Sequence, residues 1–145
     1  MKYTLSILIL LLPALISAQT NYKSGYIVTN SGDTISGLIN YKERVSNANT
    51  VSMKTGSSVK PKEYGVNEII AYGITGIESY EQHLVTISQH TIDPANLSIG
   101  IDSSYRTDKV FLKVIQKGGK VNLFSYRDNI KPRFYIQDSA PNSCK

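Results

Sequence analysis

The chain predicts a mainly β fold: a small single-domain barrel or sandwich built from antiparallel hairpins, with at most a short helix. Three observations carry this expectation. Ten Tyr and no Trp accompany many Ile, Asn, Ser and Thr, a composition that suits strands and polar turns better than helices. Apolar and polar residues alternate with period two in several short runs. Between such runs stand Gly32-Asp33 and Gly118-Gly119, pairs that supply the positive φ a two-residue hairpin turn needs.

The first segment, MKYTLSILILLLPALISA, has the layout of a cleaved export signal: Lys2, an apolar run from Leu5 to Ile16, then Ser17 and Ala18 at the cut. A helix over Leu5 to Ile16 would be about 18 Å long, well short of a hydrocarbon core of about 30 Å. It reads as a leader, and no transmembrane anchor remains after cleavage. No Cys lies near the junction for lipidation. Residues 19–145 then form one β-rich domain with a polar C-terminal tail, long enough to bury a core without disulfides. The single Cys144 cannot staple the domain and reads as an exposed terminal thiol. Loss of Lys2 lowers the formal charge from +5 to +4, too modest for nucleic acid to be an expected partner.

Residues 24–41 predict the first hairpin. With Gly32-Asp33 as its loop, Tyr26 faces Ile39 and Val28 faces Gly37, so Tyr26, Val28, Ile35 and Ile39 would share a core face. Residues 42–63 are polar and predict a short strand at 50–54 and a loop carrying Lys54, Lys60 and Lys62, a basic cluster read as solvated. Tyr64 to Tyr72 reads as a helical turn leading into a strand, and Ile77 to Ile92 as strand. Pro94 to Arg106 is a polar connection.

Residues 109–127 predict the second hairpin. A turn at Gly118-Gly119 pairs Val114 with Leu123, Lys113 with Phe124 and Phe111 with Tyr126. Val110, Leu112, Val114, Val121 and Leu123 then point inward. The opposite face carries Phe111, Lys113, Lys117, Lys120, Phe124 and Tyr126, the candidate binding face. Rings interleaved with ammonium groups stack on sugars while attracting phosphate or carboxylate. A last strand is expected at Arg133 to Gln137, after Pro132.

Catalytic and metal patterns are absent from the sequence. His83 and His90 project to opposite faces of a strand and do not chelate one metal there. No GxSxG elbow and no phosphate loop occurs. Asp93, Asp102, Asp108 and Asp128 are loop carboxylates from which an acid/base pair would have to be assembled in space. No cofactor is expected.

GYIVTNSGDTISGLINY, followed later by VFLKVIQKGGKVNLFSYRD and RFYIQD, resembles a family of uncharacterised exported β-rich proteins of Bacteroidota. The matching positions are Gly25, Ile27, Gly32, Asp33, Thr34, Gly37 and Ile39, then Leu123, Phe124, Tyr126 and Asp128. The resemblance implies the N-terminal domain of larger envelope proteins, some of which continue into an outer-membrane barrel; here the chain stops at Lys145. It carries no catalytic residues. The expectation is an exported protein, periplasmic, outer-membrane-associated or secreted. It would act as a non-catalytic module binding an envelope protein, a glycan or an anionic headgroup, with a hydrolase built from loop carboxylates as the alternative.

Overall fold

The computed structural model describes residues 21–44, 46–57, 59–96 and 104–138. The leader at 1–18, Asp102 and Cys144 lie outside them. Among the described residues nine strands form one sheet: β1 (Tyr22–Thr29), β2 (Thr34–Asn40), β3 (Thr50–Lys54), β4 (Lys62–Gly65), β5 (Ile69–Ile74), β6 (Glu78–Ser88), β7 (Tyr105–Gln116), β8 (Val121–Arg127) and β9 (Pro132–Asp138). A 3-10 turn at Pro94–Asn96 is the sole helical element among them. The strands lie in the order β4-β3-β2-β1-β5-β6-β7-β8-β9, and the sheet curls into a half-barrel. All neighbours are antiparallel, so the mainly β expectation holds.

The curl follows from one short connection. Four strand spacings separate β4 from β5, about 19 Å if the sheet lay flat. Gly65 and Ile69 bound a connection that spans at most about 14 Å. The sheet must bend to close that gap. Val51 and Met53 of β3 therefore meet Ile27, Ile39, Ile69 and Ile74 in one buried cluster. The turn is tied down by Glu68 N–H donating to the Gly65 carbonyl at 3.0 Å and Gly65 N–H donating to Glu68 Oε2 at 2.7 Å.

Gly25 and Gly37 are opposed on the inner face of this bend. A Cβ on Gly37 would stand 2.6 Å from the Lys54 carbonyl oxygen and collide with the Met53 methyl; one on Gly25 would collide with the Gly73 carbonyl oxygen. Both positions exclude a side chain because neighbouring backbone occupies its place.

Three local expectations are corrected. The first hairpin has a three-residue loop, Asn30-Ser31-Gly32, in which Gly32 takes φ +91°. Thr29 N–H donates to the Asp33 carbonyl at 2.9 Å, so Asp33 closes the loop rather than sitting in it. This is a turn followed by a left-handed Gly, and it moves Ile27 opposite Ile35 and Tyr26 opposite Ser36. Tyr26 and Val28 thus leave the face of Ile35 and Ile39. Tyr64 to Tyr72 holds no helical turn; β4, a tight turn and β5 fill it. Val66 and Tyr64 still pack on the core, which explains the apolar spacing that suggested a helix.

The third correction is the second hairpin. Lys113 pairs with Ser125, Val114 with Phe124 and Gln116 with Leu123, with a register shift at Ile115. Next to the turn Gln116 stands two residues out of the register that a Gly118-Gly119 loop would set, and past the bulge Val114 and Lys113 stand one residue out; a one-residue slip turns every side chain to the other face. Phe124 and Tyr126 consequently join Val110, Leu112 and Ile87 in a second buried cluster. Phe111 faces the first. Val121, expected inward, is 45% exposed.

Candidate binding cleft

One row of directly opposed residues crosses five strands on the inner face: Tyr72 of β5, Tyr80 of β6, Lys113 of β7, Ser125 of β8 and Phe134 of β9. The β5–β6 hairpin creates its aromatic end. Its loop, Thr75-Gly76-Ile77, is centred on Gly76 at φ +73°, and Tyr72 and Tyr80 stand four residues to either side. The rings stack with centroids 4.7 Å apart and planes 9° apart, and Tyr72 meets Phe111 edge-on at 5.0 Å. Beside them Lys113 Nζ donates to Glu78 Oε2 at 2.7 Å.

Above this row the curl of the sheet and the β2–β3 connection bound a cleft of about 420 Å³. Tyr41, Arg44, Tyr72, Tyr80, Lys113 and Arg127 are among its walls. The connection is fastened at Asn47, which inserts its side-chain amide where β7 and β8 have parted. Asn47 Nδ2 donates to the Phe111 carbonyl at 2.8 Å, and Arg127 N–H donates to Asn47 Oδ1 at 3.1 Å. A primary amide has one donor side and one acceptor side, so it substitutes for a peptide rung. Asn47 N–H completes the fastening by donating to the Arg127 carbonyl at 2.7 Å.

The walls carry Lys42, Arg44, Lys113 and Arg127 against Glu43, Glu63 and Glu78. With Lys113 and Glu78 paired, three cations face two carboxylates, a small positive excess in a partly enclosed space. Burial, with the Glu78 charge adding to it and Arg44 opposing it, raises the Tyr72 phenol well above its ordinary value. Burial, then Tyr72 and Glu78, raises Tyr80 likewise. Both phenols stay protonated at neutral pH and do not serve as bases. Tyr72 is buried and backs the half-buried Tyr80 ring, which is the one of the two left with surface toward the cleft.

Of the six residues of the predicted aromatic and lysine face, Lys113 alone lines this cleft. Phe111, Phe124 and Tyr126 are 1%, 1% and 4% exposed, and the last two sit on the opposite side of the sheet from Phe111. Lys117 pairs with Glu81 at 2.5 Å, and Lys120 is exposed in the hairpin connection. The single face is therefore not formed, because the Ile115 bulge separates its members. Tyr72, Tyr80, Arg44, Asn47 and Arg127 were not singled out by sequence. The symmetric placement of Tyr72 and Tyr80 about Gly76 was the available signal for the stacked pair.

The remaining polar candidates have local partners. His83 meets the Phe124 ring at a tilt of 58°, centroids 4.6 Å apart, and lies 3.7 Å from Glu81, while His90 is beyond the end of β6. Asp93 accepts from Ala95 N–H at 3.0 Å, Asp108 pairs with Arg106 at 3.3 Å and Asp128 with Arg133 at 2.9 Å. Among the described residues no three His, Cys, Asp or Glu side chains gather as a metal site, and no helix is long and apolar enough to cross a membrane.

No protein-family model, curated protein or solved structure matches the chain.

Proposed function

We propose that this is an exported, non-catalytic binding module of the cell envelope whose cleft takes a hydroxylated anionic group, an acidic glycan or an anionic headgroup. The carrying observation is the row Tyr72–Tyr80–Lys113 beneath Arg44 and Arg127. The half-buried Tyr80 ring and its hydroxyl suit a polyol, and the guanidinium groups suit a carboxylate or phosphate. Among the described residues Arg44 and Arg127 have no carboxylate within ion-pair distance. Export rests on the leader at residues 1–18, and the resemblance to exported Bacteroidota proteins is consistent with it.

The test is a titration of the chain beginning at Gln19 with acidic oligosaccharides, matched neutral oligosaccharides and vesicles with and without anionic lipid. Acidic ligands should bind, weaken as salt rises, and lose affinity in Arg127→Ala. Equal binding of acidic and neutral ligands, or binding untouched by Arg127→Ala and Arg44→Ala together, would overturn the reading. The vesicle arm separates a headgroup from a glycan. Cleavage after Ala18, read by N-terminal sequencing of the exported protein, tests export.

A further inference from the structure

The two edges of the sheet are treated very differently. At one edge β4 is only four residues long and carries Lys62 and Glu63, with Lys62 Nζ lying 4.6 Å from the Tyr64 ring centroid. Short length and charge are what keep an edge from pairing with another chain. At the other edge β9 runs seven residues, Pro132–Asp138, and among the described residues no strand covers its outer side. On its inner-facing side Phe134 is 68% and Ile136 72% exposed, in alternation with the buried Arg133 and half-buried Tyr135. Two neighbouring large apolar side chains on an uncovered edge are a liability unless something pairs there.

The residues of β9 specify the partner. If β9 pairs antiparallel with a second β9 about a two-fold axis at Tyr135, Phe134 of each copy stands opposite Ile136 of the other. Both apolar pairs fall on one face, and the side chains meet directly across the strands. Arg133 then faces Gln137, and Pro132, which has no N–H to offer a ladder, falls at the last rung opposite Asp138. No like charges are opposed. A single strand that satisfies itself in this way makes an isologous contact, which closes after two copies and does not grow into a fibre.

We infer that the chain self-associates as a two-fold dimer through β9, joining two half-barrel sheets edge to edge with Phe134 packed on the second copy's Ile136. The interface consists of one strand ladder and two apolar pairs, so it belongs at the small end of specific interfaces. This contact does not depend on the cleft or its ligand.

The test uses the chain from Gln19, with Cys144→Ser to remove disulfide dimers, in sedimentation equilibrium up to about 1 mM. A monomer–dimer equilibrium is expected. Phe134→Lys and Ile136→Lys should each weaken it by at least about tenfold. Leu84→Lys, at an apolar residue 70% exposed on the same face of β6, should leave it unchanged. In a mixed sample of labelled and unlabelled chains, isotope-filtered NOEs should connect the Phe134 ring with Ile136 methyl groups of the other copy. The exposed positions tolerate these changes, and circular dichroism confirms the fold. A monomer throughout the range, or a dimer insensitive to Phe134→Lys and Ile136→Lys, overturns the inference. So does a dimer seen only in the chain that retains residues 1–18.

Discussion

Asn47 and Arg127 exchange two hydrogen bonds, Asn47 N–H to the Arg127 carbonyl at 2.7 Å and Arg127 N–H to Asn47 Oδ1 at 3.1 Å. The exchange joins the β2–β3 connection to the end of β8, eighty residues along the chain. It also sets the roof of the cleft. Asn47→Ala would leave the Phe111 carbonyl and the Arg127 N–H without their present partners, at a cost of about 1–3 kcal/mol. Urea denaturation should show that loss, and ligand affinity should fall with it. Asn47→Asp should not restore it, because a carboxylate has no donor for the Phe111 carbonyl.

Alkaline pH should destabilise the fold through Tyr72 and Tyr80. Their folded values are raised above the unfolded value of about 10, so the folded state holds its phenol protons where the unfolded state has released them. Stability from this source is complete below pH 10 and falls as pH rises beyond it. Thermal melts should show a drop in Tm above that pH that is smaller in Tyr72→Phe. An equal drop in the variant would assign the effect to other tyrosines.

At acid pH the sensitive pair is Asp128 and Arg133. Burial works to raise the Asp128 carboxyl, but the Arg133 hydrogen bond at 2.9 Å and the Lys131 and Ile130 N–H groups outweigh it and hold the value below ordinary. The folded carboxyl is the stronger acid, so its contribution is present above the unfolded value of about 4 and is lost as pH falls through the lower folded one. Asp128→Asn should reduce stability at pH 7 and flatten the acid limb. Arg133→Met should be destabilising as well, since Arg133 also donates to the Ser88 carbonyl at 2.5 Å and to the Lys131 carbonyl at 2.9 Å.

Gly37→Ala should cost about 1–3 kcal/mol, because its Cβ meets the Lys54 backbone, which has no rotamer by which to yield. Gly32→Ala should cost about 1 kcal/mol for a different reason: its site is open, but φ +91° is strained for any residue with a Cβ. Chemical denaturation of the two variants separates them, since enlarging the surrounding space through Met53→Ala should partly relieve Gly37→Ala and leave Gly32→Ala unaffected.

The strands were legible and their facing was not. Period-two alternation and Gly turns marked both hairpins, and 50–54 coincided with β3. Loop length is the weak point, since Gly32 serves equally as the first residue of a two-residue loop and the last of a three-residue one. Each choice rotates Tyr26 and Val28 relative to Ile35. At Ile115 nothing local announces a bulge; a β-branched apolar residue is as suited to a regular ladder. Val110, Phe111 and Leu112 are all buried because β7 has a core on each side, an arrangement that alternation alone reads as one face in and one face out. The cleft was less visible still, because it depends on the curl that brings residues 41–44 and 46–48 over strands far along the chain.

The most direct measurement is the chemical-shift response of the protein to an acidic oligosaccharide, followed residue by residue in NMR spectra with Arg127→Ala as the control. The cleft account predicts perturbations centred on Tyr80, Lys113 and Arg127, reduced by salt and by the substitution. Perturbations confined to Lys117 and Lys120 on the second hairpin, or none in a folded protein, would contradict it.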